Sequence, residues 1–242
     1  MPSDDAPIHR AMILAAGLGT RMRPVTNTLP KPLVQVAGKA LIDHIFDYCR
    51  EGGVTEATVN VHYLADLMEA HARAVTNPRV TVSDERAALL DSGGGVKKAL
   101  PFLGKQPFFI LNADAIWIDQ EGASLTRLKQ HWDPLTMDIL LLLADAKTAT
   151  GWGKSGDFVM EDDGRLRRRQ KTEDSPHVYA GAGIWKPALF ADRPDVFSLN
   201  LLFDEVAAKG RLHGLPLNGV WMHVGTPEAI PEAEAVMQDN RS

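Results

Sequence analysis

The sequence predicts an α/β fold, a mostly parallel, doubly wound sheet with helices on both faces, and three observations carry that reading. Short apolar or β-branched runs, Met12 to Leu14, Ala57 to Val61 and Val80 to Val82, alternate with stretches of helical spacing, Ala40 to Arg50 and Leu64 to Val75. Strand–helix–strand spans of that length suit parallel crossovers, which lay helices over both faces of an open sheet. The first run breaks into Gly17 and Gly19, and open α/β sheets keep their ligand sites at such strand ends. The texture changes between Gly151 and Lys171, where Gly151, Gly153 and Gly156 precede the turn Asp162-Asp163-Gly164 with strands on either side. That stretch reads as an antiparallel hairpin inserted into the sheet. The whole is Rossmann-like, with a mixed sheet.

The elements follow in order. Met12 to Leu14 is a buried strand because it is apolar without alternation. Leu41, Ile42, Ile45, Phe46 and Cys49 share one helical face, and Gly52-Gly53 ends that helix. Leu89-Leu90-Asp91-Ser92-Gly93-Gly94-Gly95 reads as a glycine-rich turn opening a helix over Val96 to Leu100. Pro107 to Leu111 is a strand ending in Asn112-Ala113-Asp114, and Met137 to Leu143 is a further central strand. Val178 to Trp185 is another strand. Ser198 to Ala208 is an amphipathic helix capped by Ser198. Arg211 to Leu215 is a short strand, and Pro227 to Met237 closes the chain as a helix. Residues 1–9 read as a polar, acidic, disordered lead-in, and 10–242 as one domain without repeats.

Composition bounds the function. The chain has 242 residues, 45% of them hydrophobic and 24% charged, the profile of an ordinary globule. Net charge is −5 and the isoelectric point about 5.9, so no global field favours nucleic acid or an anionic membrane. Anionic substrates must be met by local cations. No stretch is long enough to span a bilayer, and the N-terminus lacks an apolar signal core. The single cysteine, Cys49, falls on an apolar helix face and suits a reducing, cytoplasmic setting.

Chemistry concentrates after the first strand. Gly17 and Gly19 leave no side chain between backbone amides and a ligand, and Arg21, Arg23 and Lys31 follow, with Pro30 and Pro32 fixing the path of Lys31. A glycine turn presenting amides and cations is suited to phosphate. No Gly-Lys-Ser/Thr closes the loop, which excludes a Walker A motif. The third glycine of a dinucleotide fingerprint falls on Met22, which argues against a dehydrogenase. Asp114 puts a carboxylate at the carboxyl end of a central strand. Arg165, Arg167, Arg168, Arg169 and Lys171 cluster in the hairpin; alternation puts Arg167, Arg169 and Lys171 on one strand face.

The run Gly17-x-Gly19-Thr20-Arg21-x-x-Pro24, followed by Pro30-Lys31-Pro32, resembles the signature of the sugar-phosphate nucleotidyltransferases. The resemblance covers roughly residues 10–235. It implies transfer of a nucleoside monophosphate from an NTP to a sugar 1-phosphate, with pyrophosphate leaving. It implies that Ala15, Ala16, Gly17, Gly19, Thr20, Arg21 and Lys31 hold the nucleotide phosphates and that Glu85 and Gly93 meet the base. Asn112, Lys171 and Gly183 would bind the sugar phosphate, the hairpin forming part of the sugar site. Arg21, Lys31 and Asp114 would be catalytic, and Asp114 would bind a divalent metal, Mg²⁺ in the first instance.

Three positions depart from the family pattern. Ala113 stands in Asn-Gly-Asp, and Gln170 stands for Glu before Lys171. His223 stands for Asp in the Trp221 to Pro227 motif, where the Asp is the second metal ligand. Imidazole suits softer ions, so ligation by His223 would favour Mn²⁺ or Co²⁺. Within the family, the compact length and the Leu89 to Gly95 segment are most similar to the N-acetylmuramate 1-phosphate uridylyltransferases of cell-wall peptidoglycan recycling. The alternatives are a mannose 1-phosphate guanylyltransferase or an inactive regulatory nucleotide-binding homologue. The expected partners are UTP or another NTP and a sugar 1-phosphate, with no nucleic acid or membrane. The chain is expected to be a monomer or homodimer, with no following hexapeptide-repeat domain.

Overall fold

In the computed structural model, which describes residues 8–240, the first apolar run becomes β1 (Arg10–Leu14), inside a nine-stranded sheet. A small hairpin follows, β2 (Gln35–Val36) and β3 (Lys39–Ala40), then α1 (Leu41–Glu51), β4 (Glu56–Val61), α2 (Ala65–Ala74) and β5 (Arg79–Asp84). Next come α3 (Asp91–Leu103), β6 (Phe108–Asn112), β7 (Ala115–Asp119), α4 (Ser124–His131) and β8 (Ile139–Asp145). The last part holds β9 (Phe158–Met160), β10 (Leu166–Arg168), β11 (His177–Trp185), α5 (Leu199–Ala208), β12 (Leu212–Pro216), β13 (Gly219–His223) and α6 (Ala229–Asp239).

The expected mixed, mostly parallel sheet is present. β1 pairs in parallel with β4 and β6, and β4 with β5, so Leu14, Val61, Asp84 and Asn112 end on one edge. β11 runs antiparallel between β6 and β8, and β12 is parallel to β8. Alternation along β1 sends Ile13 to one face and Met12 to the other. Ile13 joins Ile45, Phe46, Val59 and Leu111 under α1 and α2. Met12 joins Val96, Leu103, Trp185 and Phe203 under α3 and α5. Cys49 is buried in the first of these layers, and burial pushes its thiol up to about 12, so it is an inert packing residue.

A separate two-stranded sheet carries one wall of the site. β7 leaves the Asn112-Ala113-Asp114 corner and pairs antiparallel with β13, setting Ala115 opposite His223. Tyr48 of α1 pins β7: its ring stacks on Trp117 at 3.9 Å, and its hydroxyl donates to the Trp117 carbonyl and accepts from the Trp117 amide. The sequence reading passes over β7 and α4. The β7 run is only five residues long, and α4 offers only Leu125 and Leu128 as buried apolar side chains, too few for a periodic signal.

Three expectations change. The glycine-rich turn is in fact the first turn of α3, which starts at Asp91. The amides of Gly93 and Gly94 donate to the Phe197 carbonyl, and a strap over Asp195 to Phe197 lies directly on the bare helix. A Cβ on Gly93 would fall 2.4 Å from the Phe197 ring, and one on Gly94 2.1 Å from the Asp195 carbonyl oxygen. The glycines serve close helix packing. The hairpin β9–β10 forms around its glycine turn, but Arg168 clamps it to α5: the guanidinium lies over Phe158 and Phe203 and binds Asp204. The hairpin is therefore held at the sheet's edge rather than over the parallel carboxyl ends. The domain also begins earlier than residue 10. Ile8 is buried, and the His9 carbonyl accepts from the Thr55 and Glu56 amides. The rest of the expected lead-in, residues 1–7, lies outside the described residues. Among the described residues, no helix is long and apolar enough to cross a membrane.

The packing makes Gly94→Ala a test of the strap. Its methyl group would meet a backbone oxygen that cannot rotate away, and overpacking of this kind costs roughly 1–3 kcal/mol. Urea denaturation should show that loss; unchanged stability would mean the strap does not rest on α3.

Candidate active site

A cavity of about 520 Å³ opens at the carboxyl ends of β1, β4 and β6. One wall is Leu14 to Gly17, Lys31 and Pro32; the far wall is Asn60, Glu85, Leu89, Asp91, Ser92 and Val196; the floor is Asn112 to Asp114. Ala15, Ala16, Gly17, Lys31, Glu85, Asn112 and Asp114, chosen from the sequence, are therefore brought together.

The loop after β1 is held from behind. Gly19 has φ +63°, a left-handed conformation that glycine adopts without strain. A Cβ there would lie 3.0 Å from the Thr26 methyl carbon. Thr26, fully buried, donates its hydroxyl to the Gly19 carbonyl at 2.7 Å, and Tyr63 donates to the Thr26 carbonyl at 2.8 Å. Thr20 and Arg21 then sit exposed on a 3-10 turn, Thr20–Met22.

Lys31 Nζ donates to Asp114 Oδ2 at 2.7 Å on the cavity floor. Burial by itself would raise the Asp114 carboxyl, but Lys31, His223 and Arg21 outweigh it and hold the group below the usual carboxylate range. His223 is shifted downward, chiefly by burial, with Lys31, Arg21 and Lys154 adding to the effect and Asp114 opposing it. The imidazole is therefore neutral at pH 7. It sits between two indoles, stacked with Trp221 at 5.9 Å and edge-on to Trp152 at 5.7 Å. Gly225 admits it: a Cβ there would lie 2.7 Å from His223 Nε2 and 3.5 Å from Arg21 Nη1. Arg21, Lys31, Asp114 and His223 thus form one electrostatic group drawn from three separate stretches of chain.

The far wall is tied to the loop by one amide side chain. Asn60 Oδ1 accepts from the Ala15 amide at 2.7 Å, and Asn60 Nδ2 donates to Glu85 Oε1 at 2.8 Å. Glu85 is 1% exposed, and its Oε2 has no hydrogen-bond partner. Burial raises its carboxyl, against the opposing pull of Asn60 and the Leu90 amide. Ala15 thus spends its amide on Asn60 and is not a free phosphate donor. Sequence reasoning missed Asn60. The available signal was a lone amide side chain inside the apolar strand Ala57 to Val61. It also missed Trp152, Asp91, Ser92 and Val196, whose positions depend on long-range packing.

Gly19, Thr20, Arg21 and His223 lie outside the cavity's lining, on the Lys31–Asp114 side, and three further predicted residues do not join the site. Gly93 lies behind it, buried against Phe197, with its amide used. Gly183 is buried in β11, where a Cβ would meet the Leu140 carbonyl oxygen at 2.7 Å, so its role is strand packing. The glycine beside the site is Gly181, at the register shift of β11, 3.1 Å from Asn112 Cβ by the same measure. Lys171 is exposed on the turn after β10. The shared face with Arg167 and Arg169 does not form either, because β10 ends at Arg168 and Arg167 is committed to Glu161 and Glu173. Only the start of the inserted stretch reaches the site: Thr150 pairs beside Met222, and Trp152 packs on His223.

Comparisons with known proteins identify the family. The model of the nucleotidyl transferase family matches residues 10–240. The chain belongs to that family, and within it to the sugar-phosphate nucleotidyltransferases. It is 50% identical to the N-acetylmuramate alpha-1-phosphate uridylyltransferase of Caulobacter vibrioides, over 93% of this chain and 95% of that one. It is 32% identical to the protein of the same name from Neisseria meningitidis serogroup B, over 94% and 97%. The crystal structure of HddC from Yersinia pseudotuberculosis complexed with GMP-PN superposes with a TM-score of 0.76 at 21% identity, over 95% of this chain and all of that one, a likeness of fold.

Glu85 offers a pH test. Its folded-state pKa lies above its unfolded value, so its favourable contribution is present below the unfolded pKa and is lost as pH rises through the folded one. The stability of Glu85→Gln relative to wild type should therefore improve from pH 4 to pH 8, by ~1–3 kcal/mol for a buried carboxylate oxygen left unpaired. Denaturation curves at several pH values measure this; a difference constant with pH would place the carboxylate in water.

Proposed function

We propose that the chain is a uridylyltransferase that joins UTP and N-acetylmuramate 1-phosphate into UDP-N-acetylmuramate and pyrophosphate, in cytoplasmic peptidoglycan recycling. The observation that carries the reaction type is the Lys31–Asp114 contact on the cavity floor, flanked by Arg21 and His223. The substrate pair is supported by the 50% identity over nearly the full length of both chains.

An oxygen of the sugar phosphate attacks the α-phosphorus of the triphosphate. A new P–O bond forms as the bridging bond to the β-phosphate breaks, and pyrophosphate takes the electron pair. The nucleophile is already an anion, so no general base is required. The barrier is the meeting of two anions, and catalysis is positioning and charge stabilisation. Gly17 and the Gly19 to Arg21 segment present backbone and cation to the β- and γ-phosphates. Arg21 offsets charge developing on the leaving group, and Lys31 bridges the α-phosphate and Asp114. Asn112 faces the sugar phosphate from the end of β6. Glu85 and Asn60 meet the uracil edge.

The donor set of Asp114 and His223 fits a divalent ion that takes its other ligands from phosphate and water, since Lys31 engages only Oδ2 of Asp114. Among the described residues, no group of three or more His, Cys, Asp or Glu is placed to hold an ion by protein ligands alone. Mg²⁺ would neutralise phosphate charge there. Asp114 would hold it, and His223 would stand on its second side.

Pyrophosphate release measured for four NTPs against several sugar 1-phosphates tests the substrates. UTP with N-acetylmuramate 1-phosphate should turn over fastest; preference for GTP with mannose 1-phosphate would replace this reading with the guanylyl one. Absence of turnover with every pair would leave a regulatory nucleotide-binding protein.

The metal assignment has its own test. If the neutral His223 ring is a ligand, Mn²⁺ or Co²⁺ should outperform Mg²⁺ in wild type. His223→Asp should then move the preference toward Mg²⁺ by restoring a hard oxygen. The same ion preference in both proteins would remove His223 from the coordination sphere.

A further inference from the structure

A second cavity, of about 730 Å³, lies at the other end of the sheet. It sits where α4 ends, where β8 and β12 begin, at the β9–β10 turn and at the end of α5. β8 is parallel to β6 through their shared antiparallel neighbour β11. The amino ends of β8 and β12 are therefore opposite to the edge that carries the catalytic cavity.

Its lining is basic on an acidic protein. Arg165, Lys209, Arg211, His131 and His213 face it against one carboxylate, Asp163, while the whole chain carries −5. These cations are not equally available. Arg211 is spent: its guanidinium binds Asp138 at 2.9 Å and the Leu135 carbonyl at 2.9 Å. Arg165 uses Nε on Asp163 at 2.7 Å, and its Nη1 projects toward Gly210, 3.4 Å from where a Cβ would stand. Lys209, just past the end of α5, and His131, on the last turn of α4, are exposed, and among the described residues their side chains have no hydrogen bond or ion pair. His213 is 8% exposed, and its Nδ1 is buried without a hydrogen-bond partner. A ring with an unmet nitrogen, set among cations that have few carboxylates to answer them, suits an anion.

We propose that this cavity is a second binding site, separate from the catalytic one, for a small oxyanion of the phosphate or sulfate class. Lys209 Nζ and Arg165 Nη1 supply the charge, and the rings of His131 and His213 close on the anion. Binding couples to protonation. An anion added beside His213 opposes the burial and the repulsion from Arg165 and His131 that disfavour its charged form, and works with Asp163 and the Arg211 carbonyl, which favour it. Asp138 stays committed to Arg211 and Lys186. Affinity should therefore rise as pH falls.

The test uses the full chain with labelled histidines and sulfate as the probe, because sulfate keeps its charge across the pH range. The ring signals of His131 and His213 should shift saturably, with tighter binding at pH 6 than at pH 8. Lys209→Ala and Arg165→Gln, both at exposed positions outside the catalytic cavity, should each weaken binding about tenfold, the effect of losing one charge-assisted hydrogen bond. Both should leave turnover unchanged. Inorganic phosphate and glycerol 3-phosphate run in parallel: equal affinities identify the free oxyanion as the ligand, and tighter binding of the ester identifies an organic phosphate. Shifts confined to His223, or binding that neither variant weakens, would overturn the site.

Discussion

The contact between Lys31 and Asp114 is the constraint around which the catalytic end is built. A carboxylate turned into the floor of a cavity loses solvation, and burial alone would push it toward its neutral form. It stays charged because Lys31 touches it and Arg21 and His223 stand near. Those partners come from distant parts of the chain. Two arrive from the long irregular segment after β1, and one from the end of β13. The stretch from Leu14 to Leu33 has only short 3-10 turns of its own. Its path depends on this contact, on the Thr26 bond to Gly19 and on Tyr63 behind Thr26. On the proposed reading, a triphosphate would meet cations already oriented, with little reorganisation left for the reaction itself.

The two walls of the cavity are joined by hydrogen bonds through Asn60, which holds Ala15 with its oxygen and Glu85 with its nitrogen. A shift of the loop after β1 cannot leave the far wall undisturbed. The helix beyond that wall is fixed in turn by bare glycine backbone under the strap, and Gly95 would place a Cβ 2.8 Å from both Asn60 Nδ2 and Glu85 Oε1. The glycines that read as a turn in the sequence thus pack α3 closely against the strap and the far wall.

Much of this was legible in the sequence, for physical reasons. The Gly17 to Arg21 loop and Asp114 sit at strand ends, where backbone rules confine ligand sites, so local sequence sufficed. The parallel strands announced themselves as unbroken apolar runs, because both of their faces are covered. Which surface a residue faces is less legible, because it depends on long-range packing. Lys171 and Gly183 were assigned to the sugar by resemblance. The fold uses Gly183 to pack β11 on β8 and leaves Lys171 in solvent. The hairpin arginines looked like an anion-binding face, yet Glu161, Glu173 and Asp204, the last from α5, absorb Arg167 and Arg168. A charge run shows where cations are and not what answers them. Glu85 lines the cavity because it directly follows the carboxyl end of β5, the edge on which the parallel strands end.

His223 changes the electrostatics of the site in a way the family pattern would not. Arg21 and Lys31 contribute +2 and Asp114 −1, and burial keeps the imidazole neutral, so the group carries +1. An aspartate at the same position, if ionised, would bring the sum to zero. The site as built attracts an anionic nucleotide more strongly and a free divalent cation less. Its indole neighbours reinforce this, since Trp152 and Trp221 shield the ring from water that would otherwise favour its charged form. On the proposed reading, phosphate oxygens held by Arg21 and Lys31 would complete the hard ligand set that Asp114 alone cannot offer a cation.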